Sequence, residues 1–342
     1  MKLKFLGFAL LAVCVCAVCC MCGSDSKTPD YEFPDGPDPD PDPQPGDYPA
    51  GLTVTEFADD LGGGKQCLGF VAVADLKANP KLRFNAVHLP QQKIPSRIHA
   101  EFASANRGTA CVTTNAGYWW AGNSLSLLVT GGAVKSIENQ TVTRNNQTVY
   151  PVRSSFGQMS SGKFETHWIY CVLDDGNKPY AFPSALDNDE RTNTYMSAPP
   201  TSKTPGAVLW TPQEAVGGGP MLVKEGKNVA VENYWKEVFD GGGIAGTSRQ
   251  PRTAIGATAD GKLILLVCDG RNMRGSAGFT LAELADKLIE LGAVDAVNLD
   301  GGGSSTMVGS DGKVLNRPSD TGSAEVIVER KISTAVVISE VN

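Results

Sequence analysis

Short runs dominated by apolar and β-branched residues, separated by glycine, asparagine and aspartate turns, fill most of the chain beyond residue 51. The stretches Gly69 to Asp75, Leu82 to Leu89, Ala110 to Thr114, Leu125 to Val129, Phe164 to Leu173, Ala207 to Trp210, Pro220 to Val223, Ala254 to Thr258, Leu263 to Cys268 and Ala324 to Ile338 have the length and residue types of strands. Asp260-Gly261 and Asp311-Gly312 are turn pairs of the kind that join antiparallel neighbours. One helix is plain: Leu281, Leu284, Ala285, Leu288 and Ile289 form an apolar stripe, Thr280 and Glu283 make a capping box, and Gly292 stands where a C-terminal cap belongs. A second helix is expected over Ser96 to Asn106 and a short turn over Trp210 to Ala215. The pattern predicts one α+β domain, a largely antiparallel or mixed sheet with a few helices, its cleft at strand ends.

The first fifty residues have a different character. Lys2 and Lys4 precede an apolar run from Phe5 to Val18, the layout of a secretory leader and too short for a mature membrane span. Its end, with Cys14, Cys16, Cys19, Cys20 and Cys22, resembles the lipobox of a bacterial lipoprotein. Cys22 is the expected lipid anchor, with Cys19 and Cys20 as alternatives. Residues 23–50 alternate Asp with Pro and offer almost nothing to bury, which predicts an extended, solvated tether. That tether accounts for −7 and the leader for +2 of the chain's net −7, so the body over 51–342 carries only −2. No basic patch argues for nucleic acid. The expectation is an exported domain, lipid-anchored to the cell envelope at the outer membrane or cell surface.

Chemistry gathers where strands stop. The run Ala293 to Leu299 reads as a buried strand, and Asp300 follows it, leading into Gly301-Gly302-Gly303-Ser304-Ser305-Thr306. Three glycines let backbone amides approach an anion or a sugar oxygen. Four further clusters share the signature: Thr113-Thr114-Asn115-Ala116-Gly117-Tyr118-Trp119, Gly217-Gly218-Gly219-Pro220, Pro251-Arg252-Thr253-Ala254-Ile255-Gly256 and Cys268-Asp269-Gly270-Arg271. Each alone is as readily a turn glycine, a capping Asn or a surface arginine. Five at strand ends in one domain are able to converge on one cleft. Cys67, Cys111, Cys171 and Cys268 allow three disulfide pairings, and buried free thiols are an equally good reading; no CxxC or His-rich spacing indicates zinc.

Taken together, TNAGYW, VGGGP, PRTAIG, CDGR and NLDGGGSSTM, in this order from Asn115 to Met307, resemble the phosphodiester glycosidase family. The segment from Asn139 to Lys203 carries no motif of that set. The resemblance implies hydrolysis of a sugar-1-phosphodiester at the glycosidic carbon, and it points to Asn115, Gly218, Arg252, Thr253, Asp269, Arg271, Asp300, Gly302 and Ser304 as the cleft. Elementary chemistry agrees with these residue types. A phosphate monoester leaves far more easily than an alkoxide, so the demand for a second carboxylate falls and the demand for phosphate binding rises. Arg252 and Arg271 suit the phosphate, because the guanidinium fork grips its oxygens. Asp300 suits the anomeric carbon as nucleophile or as base for water, and Asp269 follows as acid/base or as orienter of Arg271. Amides near Gly218 and Gly302 suit remaining oxygens, and Tyr118 or Trp119 the sugar ring. No cofactor is required. Two rivals stand beside this reading: a phosphodiesterase in which Asp269 and Asp300 hold Mg²⁺ or Ca²⁺, and a noncatalytic glycan-binding lipoprotein favoured by the tether and the Trp119-Trp120 pair.

Overall fold

In the computed structural model, residues 47–104, 107–320 and 325–341 are described. The leader, Cys22 and the tether up to residue 46 lie outside them. Three sheets, with antiparallel pairing in every ladder, surround one central core. The first has seven strands in the order Leu52–Asp60, Gln66–Ala74, Leu263–Cys268, Arg252–Thr258, Ala293–Asn298, Met221–Lys224 and Lys227–Asn228. The second, also of seven, centres on Phe164–Val172, Arg153–Gln158 and Glu214–Gly217, and so is built largely from the segment that carried no motif. The third has four strands, Met307–Val308, Thr109–Asn115, Ile332–Glu340 and Leu82–Lys93.

The run Leu263–Cys268 shows why alternation is weak in this sequence. Leu263, Leu265 and Val267 face the central core, whereas Ile264, Leu266 and Cys268 face a second apolar cluster on the outer side. Both faces are covered, so every position is apolar. The outer cover is supplied by helices Ala230–Lys236 (α2) and Leu281–Glu290 (α3), whose Tyr234, Leu281, Leu284 and Leu288 belong to that cluster. Helix Pro95–Ser104 (α1) covers the third sheet through Ile98 and Phe102. At the centre, Phe84 meets Phe156 and Phe164 edge to face, with ring centroids 6.0 Å apart in each pair.

Most predicted elements form, with shifted ends. The Thr280 hydroxyl accepts from Glu283 N at 3.2 Å and the Glu283 carboxylate from Thr280 N at 2.9 Å, completing the capping box. Gly292 follows the helix at φ +88°. Four departures are instructive. Trp210 to Ala215 holds no helical turn, because strand Glu214–Gly217 begins inside it. The last predicted strand starts only at Ile332. Strand Leu52–Asp60 and helix Ala230–Lys236 escape the sequence pattern: the first alternates only at its start, and the second is a seven-residue helix with no capping side chain. All four body cysteines are buried free thiols. Among the described residues no helix is long and apolar enough to cross a membrane.

Replacing Thr280 by Ala removes one partner of the box and is expected to cost about 1 kcal/mol, read as a lower guanidinium midpoint with an unchanged slope.

Candidate active site

Asp300 sits two residues beyond the end of strand Ala293–Asn298, and its main chain is held on both sides. Its amide donates to Ala116 O at 2.9 Å, and its carbonyl accepts from Asn115 Nδ2 at 2.6 Å. The Asn115 Oδ1 in turn accepts from the Thr253 hydroxyl at 2.8 Å and from Thr306 N at 3.2 Å. Asn115 and Thr253 therefore form the frame beneath Asp300 rather than its walls. Asn298, on the strand itself, donates to Tyr118 Oη at 2.8 Å and to Gly219 O at 3.0 Å, while Tyr118 Oη donates to the same carbonyl at 2.7 Å. With its hydroxyl so engaged and its ring 5.5 Å from Phe239, Tyr118 belongs to this frame too.

The carboxylate opens into a cavity of about 340 Å³ lined by Trp119, Trp120, Ala121, Asp300 and Arg330. Gly301 N donates to Oδ1 at 2.9 Å, Trp119 lines the cavity beside the carboxylate, and the Arg330 charge acts on it. Ser304 Oγ, fully buried, approaches it outside normal hydrogen-bond geometry. Burial outweighs these favourable terms and raises the acid to about 6.

Two guanidinium groups lie against the glycine loop, and a methyl on Gly301 would stand 2.9 Å from the Pro251 carbonyl. A methyl on Gly302, which has φ +61°, would lie 3.0 Å from Arg271 Nη2, and one on Gly303 would lie 2.6 Å from Arg330 Nη2 and from Asp320 Oδ1. Arg271 donates to Gln250 Oε1 at 3.1 Å, and Arg330 Nε to Asp320 Oδ1 at 2.8 Å. Two cations thus flank the loop that follows Asp300. Arg330 was not among the residues singled out from the sequence; it lies before strand Ile332–Glu340 and belongs to no motif.

Other singled-out residues are placed elsewhere. Arg252 is 2 % exposed, and its guanidinium donates to the carbonyls of Phe279, Ile244, Ala245 and Ser248 at 2.7–3.1 Å, so it fastens the 244–248 loop. Asp269 is fully buried; its Oδ1 accepts from Asn316 Nδ2 at 3.1 Å and Arg317 N at 2.7 Å, and burial raises it to about 6. Through Asn316, which also donates to Ser305 O at 2.9 Å, Asp269 braces the far side of the glycine loop without lining the cavity. Gly218 is a packing position: a methyl there would stand 2.2 Å from Asn298 O. Glu237, unforeseen, is fully buried behind Gly219 and accepts from Ser154 N and Oγ, Met221 N and Trp168 Nε1 at 2.7–3.0 Å. Burial raises it to about 7. Among the described residues no group of three or more His, Cys, Asp and Glu could hold a metal ion.

A polar strand-end loop, one carboxylate and flanking guanidinium groups thus meet at one aromatic-walled cavity. Residues 131–339, more than half of the chain, match the family described as phosphodiester glycosidase, and the protein belongs to that family. Over 90 residues it is 39% identical to the N-acetylglucosamine-1-phosphodiester α-N-acetylglucosaminidases of Bos taurus and Homo sapiens, which is 26% of this chain and 16% and 17% of theirs. Over 122 residues it is 36% identical to the SPbeta prophage-derived uncharacterized protein YomE of Bacillus subtilis, 35% of this chain and 16% of that one. The chain thus spans well under a fifth of these relatives. The fold is that of the zebrafish N-acetylglucosamine-1-phosphodiester α-N-acetylglucosaminidase catalytic domain auto-inhibited by pro-peptide, with TM-score 0.57, 19% identity and coverage of 85% of this chain and 84% of that one. A hypothetical protein from Synechocystis gives TM-score 0.51 at 21% identity, covering 84% and 62%.

Two outcomes follow from the geometry. The folded state holds the Asp300 proton more tightly than the unfolded chain, so this group costs stability increasingly from its ordinary value near 3.8 up to about 6, and fully above. Asp300→Asn is therefore expected to stabilise the protein at pH 7.5 by on the order of 1–3 kcal/mol, with the gain gone at pH 3.5. Gly218→Ala forces a methyl against a main-chain carbonyl and should destabilise by about 3 kcal/mol or more in the same denaturation assay.

Proposed function

We propose that the protein hydrolyses sugar-1-phosphodiesters at the glycosidic carbon, releasing the free sugar and leaving a phosphomonoester on the partner alcohol. The observation that supports this best is the Asp300 carboxylate, raised to about 6, in one cavity with Trp119 and Arg330. Asp300 attacks the anomeric carbon, and water then breaks the resulting glycosyl ester to free the sugar and restore the carboxylate, or Asp300 takes a proton from a water that attacks directly. The bond between that carbon and the phosphate oxygen breaks, and its electron pair leaves with the phosphate. A phosphate departs without a proton, so one carboxylate suffices where ordinary glycosidases use two. Arg330 and Arg271 receive the growing phosphate charge beside the Gly302 and Gly303 main chain. The Gly301 amide holds the carboxylate, with Ser304 buried beside it, and the frame of Asn115, Thr253, Tyr118 and Asn298 fixes the loop. Arg252, Asp269 and Gly218 act in this reading as supports.

The rival that hydrolyses the phosphorus–oxygen bond with a metal on Asp269 and Asp300 needs those carboxylates to share a ligand, and they face different partners, Asn316 with Arg317 on one side and Gly301 with Trp119 on the other. We further propose that the chain is exported and lipidated at Cys22, with residues 23–50 as tether and 51–342 as the enzyme domain.

The test is release of N-acetylglucosamine from its α-1-phosphodiester with methyl mannoside, in excess chelator. The expected result is turnover whose kcat/KM rises with pH through about 6, as Asp300 ionises, and which falls at least about a hundredfold in Asp300→Asn. Turnover that needs a restored divalent cation would favour the metal reading; saturable binding without turnover would favour a glycan-binding protein.

A further inference from the structure

A second cavity, of about 680 Å³ against about 340 Å³ at Asp300, lies at the far end of the first sheet. Ala257 and Asp295 line it and face each other in the strand register, whereas Ala254 faces Asn298 beside the candidate site. Gln158 and Phe164 come from the second sheet and Leu82 and Arg83 from the third, so the cavity stands where all three sheets meet. Leu82, Phe164 and Ala257 belong to the central core cluster, and Leu76, another lining residue, packs against it. The core therefore has an open end here, of a size that small organic ligands occupy.

Charge gives this opening a direction. Three cations line it, Lys77, Arg83 and Lys163, against one carboxylate, Asp295. Asp295 is matched by Lys224 at 3.4 Å, and Lys163 by Glu165 at 3.2 Å. Lys77 and Arg83 have no carboxylate partner among the described residues. Lys77 Nζ donates to Asp260 O at 2.6 Å, and a methyl on Gly261 would stand 2.8 Å from it, so a glycine keeps room for the ammonium. Arg83 Nη1 donates to Pro80 O and, at 2.8 Å, to Leu82 O. Main-chain carbonyls hold both groups in place and leave both charges uncompensated. Two such cations beside an apolar surface suit an anion that carries an apolar body. A guanidinium has five donors and an ammonium three, so a phosphate, with several charged oxygens, engages the pair better than a single carboxylate does.

We propose that this cavity is a second binding site, for phosphomonoesters with an apolar chain or ring. The phosphate takes Lys77 and Arg83, and the apolar body covers Leu82, Phe164 and Ala257. The cavity shares no lining residue with the one at Asp300. It fills independently of the proposed reaction, and its test needs binding alone.

Octyl phosphate is the probe, titrated calorimetrically into the unaltered protein, into Arg330→Gln, and into Arg330→Gln that also carries Lys77→Gln and Arg83→Gln. Arg330→Gln removes phosphate capture by the cavity at Asp300, so what remains belongs elsewhere. The expected result is saturable binding that persists in Arg330→Gln and weakens at least about tenfold in the triple variant. Octyl glucoside, with the same chain and no charge, and inorganic phosphate, with no chain, should each bind Arg330→Gln at least about tenfold more weakly than octyl phosphate does. Lys77 and Arg83 are both exposed, so the triple variant keeps the denaturation midpoint of Arg330→Gln and a loss of binding reads the site. Equal affinity of the triple variant and Arg330→Gln for octyl phosphate overturns the assignment. So does octyl glucoside or inorganic phosphate binding as tightly as octyl phosphate, or no saturable binding to Arg330→Gln at all.

Discussion

One carboxamide holds the site together. Asn115 donates to the Asp300 carbonyl and accepts from Thr253 and Thr306, so a single buried side chain joins a strand of the third sheet, a strand of the first and the glycine loop between them. A side-chain amide is the smallest group that both donates and accepts in one plane. An ionised Asp could not donate, and an apolar residue would leave the Asp300 carbonyl and the Thr306 amide without this partner and the Thr253 hydroxyl with Ser305 Oγ alone, at 3.3 Å. Every distance around Asp300 depends on this clamp, because the carboxylate itself is held by only a few contacts and leans on a main chain that must not move.

The sequence made the strands and the capped helix legible because their signals are local. A capping box spans four residues and a strand needs only its own side chains to be recognised. It made the assembly of the cleft legible only in part. Glycines and polar residues at strand ends mark places where chain segments meet, and the loop from Gly301 to Thr306 indeed meets Asn115 and Thr253. Which member faces the cavity is a different matter. Arg252 and Arg330 look alike in sequence, yet Arg252 turns back on the carbonyls of Ile244, Ala245 and Ser248 just before it and on that of Phe279, while Arg330 reaches the cavity. Likewise Asp269 and Asp300 both end strands, and the partner that claims Asp269 is Asn316, 47 residues away. Glu237 carried no signal, because its four donors come from three distant stretches.

Three acids, the half-buried Asp300 and the fully buried Asp269 and Glu237, are all raised toward neutrality by loss of solvation. Each loads the fold with a charge that its surroundings only partly compensate. Glu237 and Asp269 are braced by several donors, as befits groups that hold main chain in place. Asp300 differs in opening to a cavity, and the proposed reaction would use its incomplete compensation, because a carboxylate too well solvated by hydrogen bonds is a poor nucleophile and a poor base.

The third sheet has a consequence for how the molecule comes to exist. Its strand Ile332–Glu340 lies between Leu82–Lys93 and Thr109–Asn115, and the Asn85 side chain bonds to Val337 O across 252 residues of chain. Asn115, which clamps Asp300, is the final residue of one of those flanking strands. Loop closure over such spans is slow compared with forming hairpins or helices. The hairpins of the first two sheets are able to condense early, but the frame of the cleft waits for a strand that emerges long after its neighbours. A nascent chain consequently has its glycine loop and its carboxylate in hand without the geometry that frames them, and the complete cleft arrives in one late step of folding.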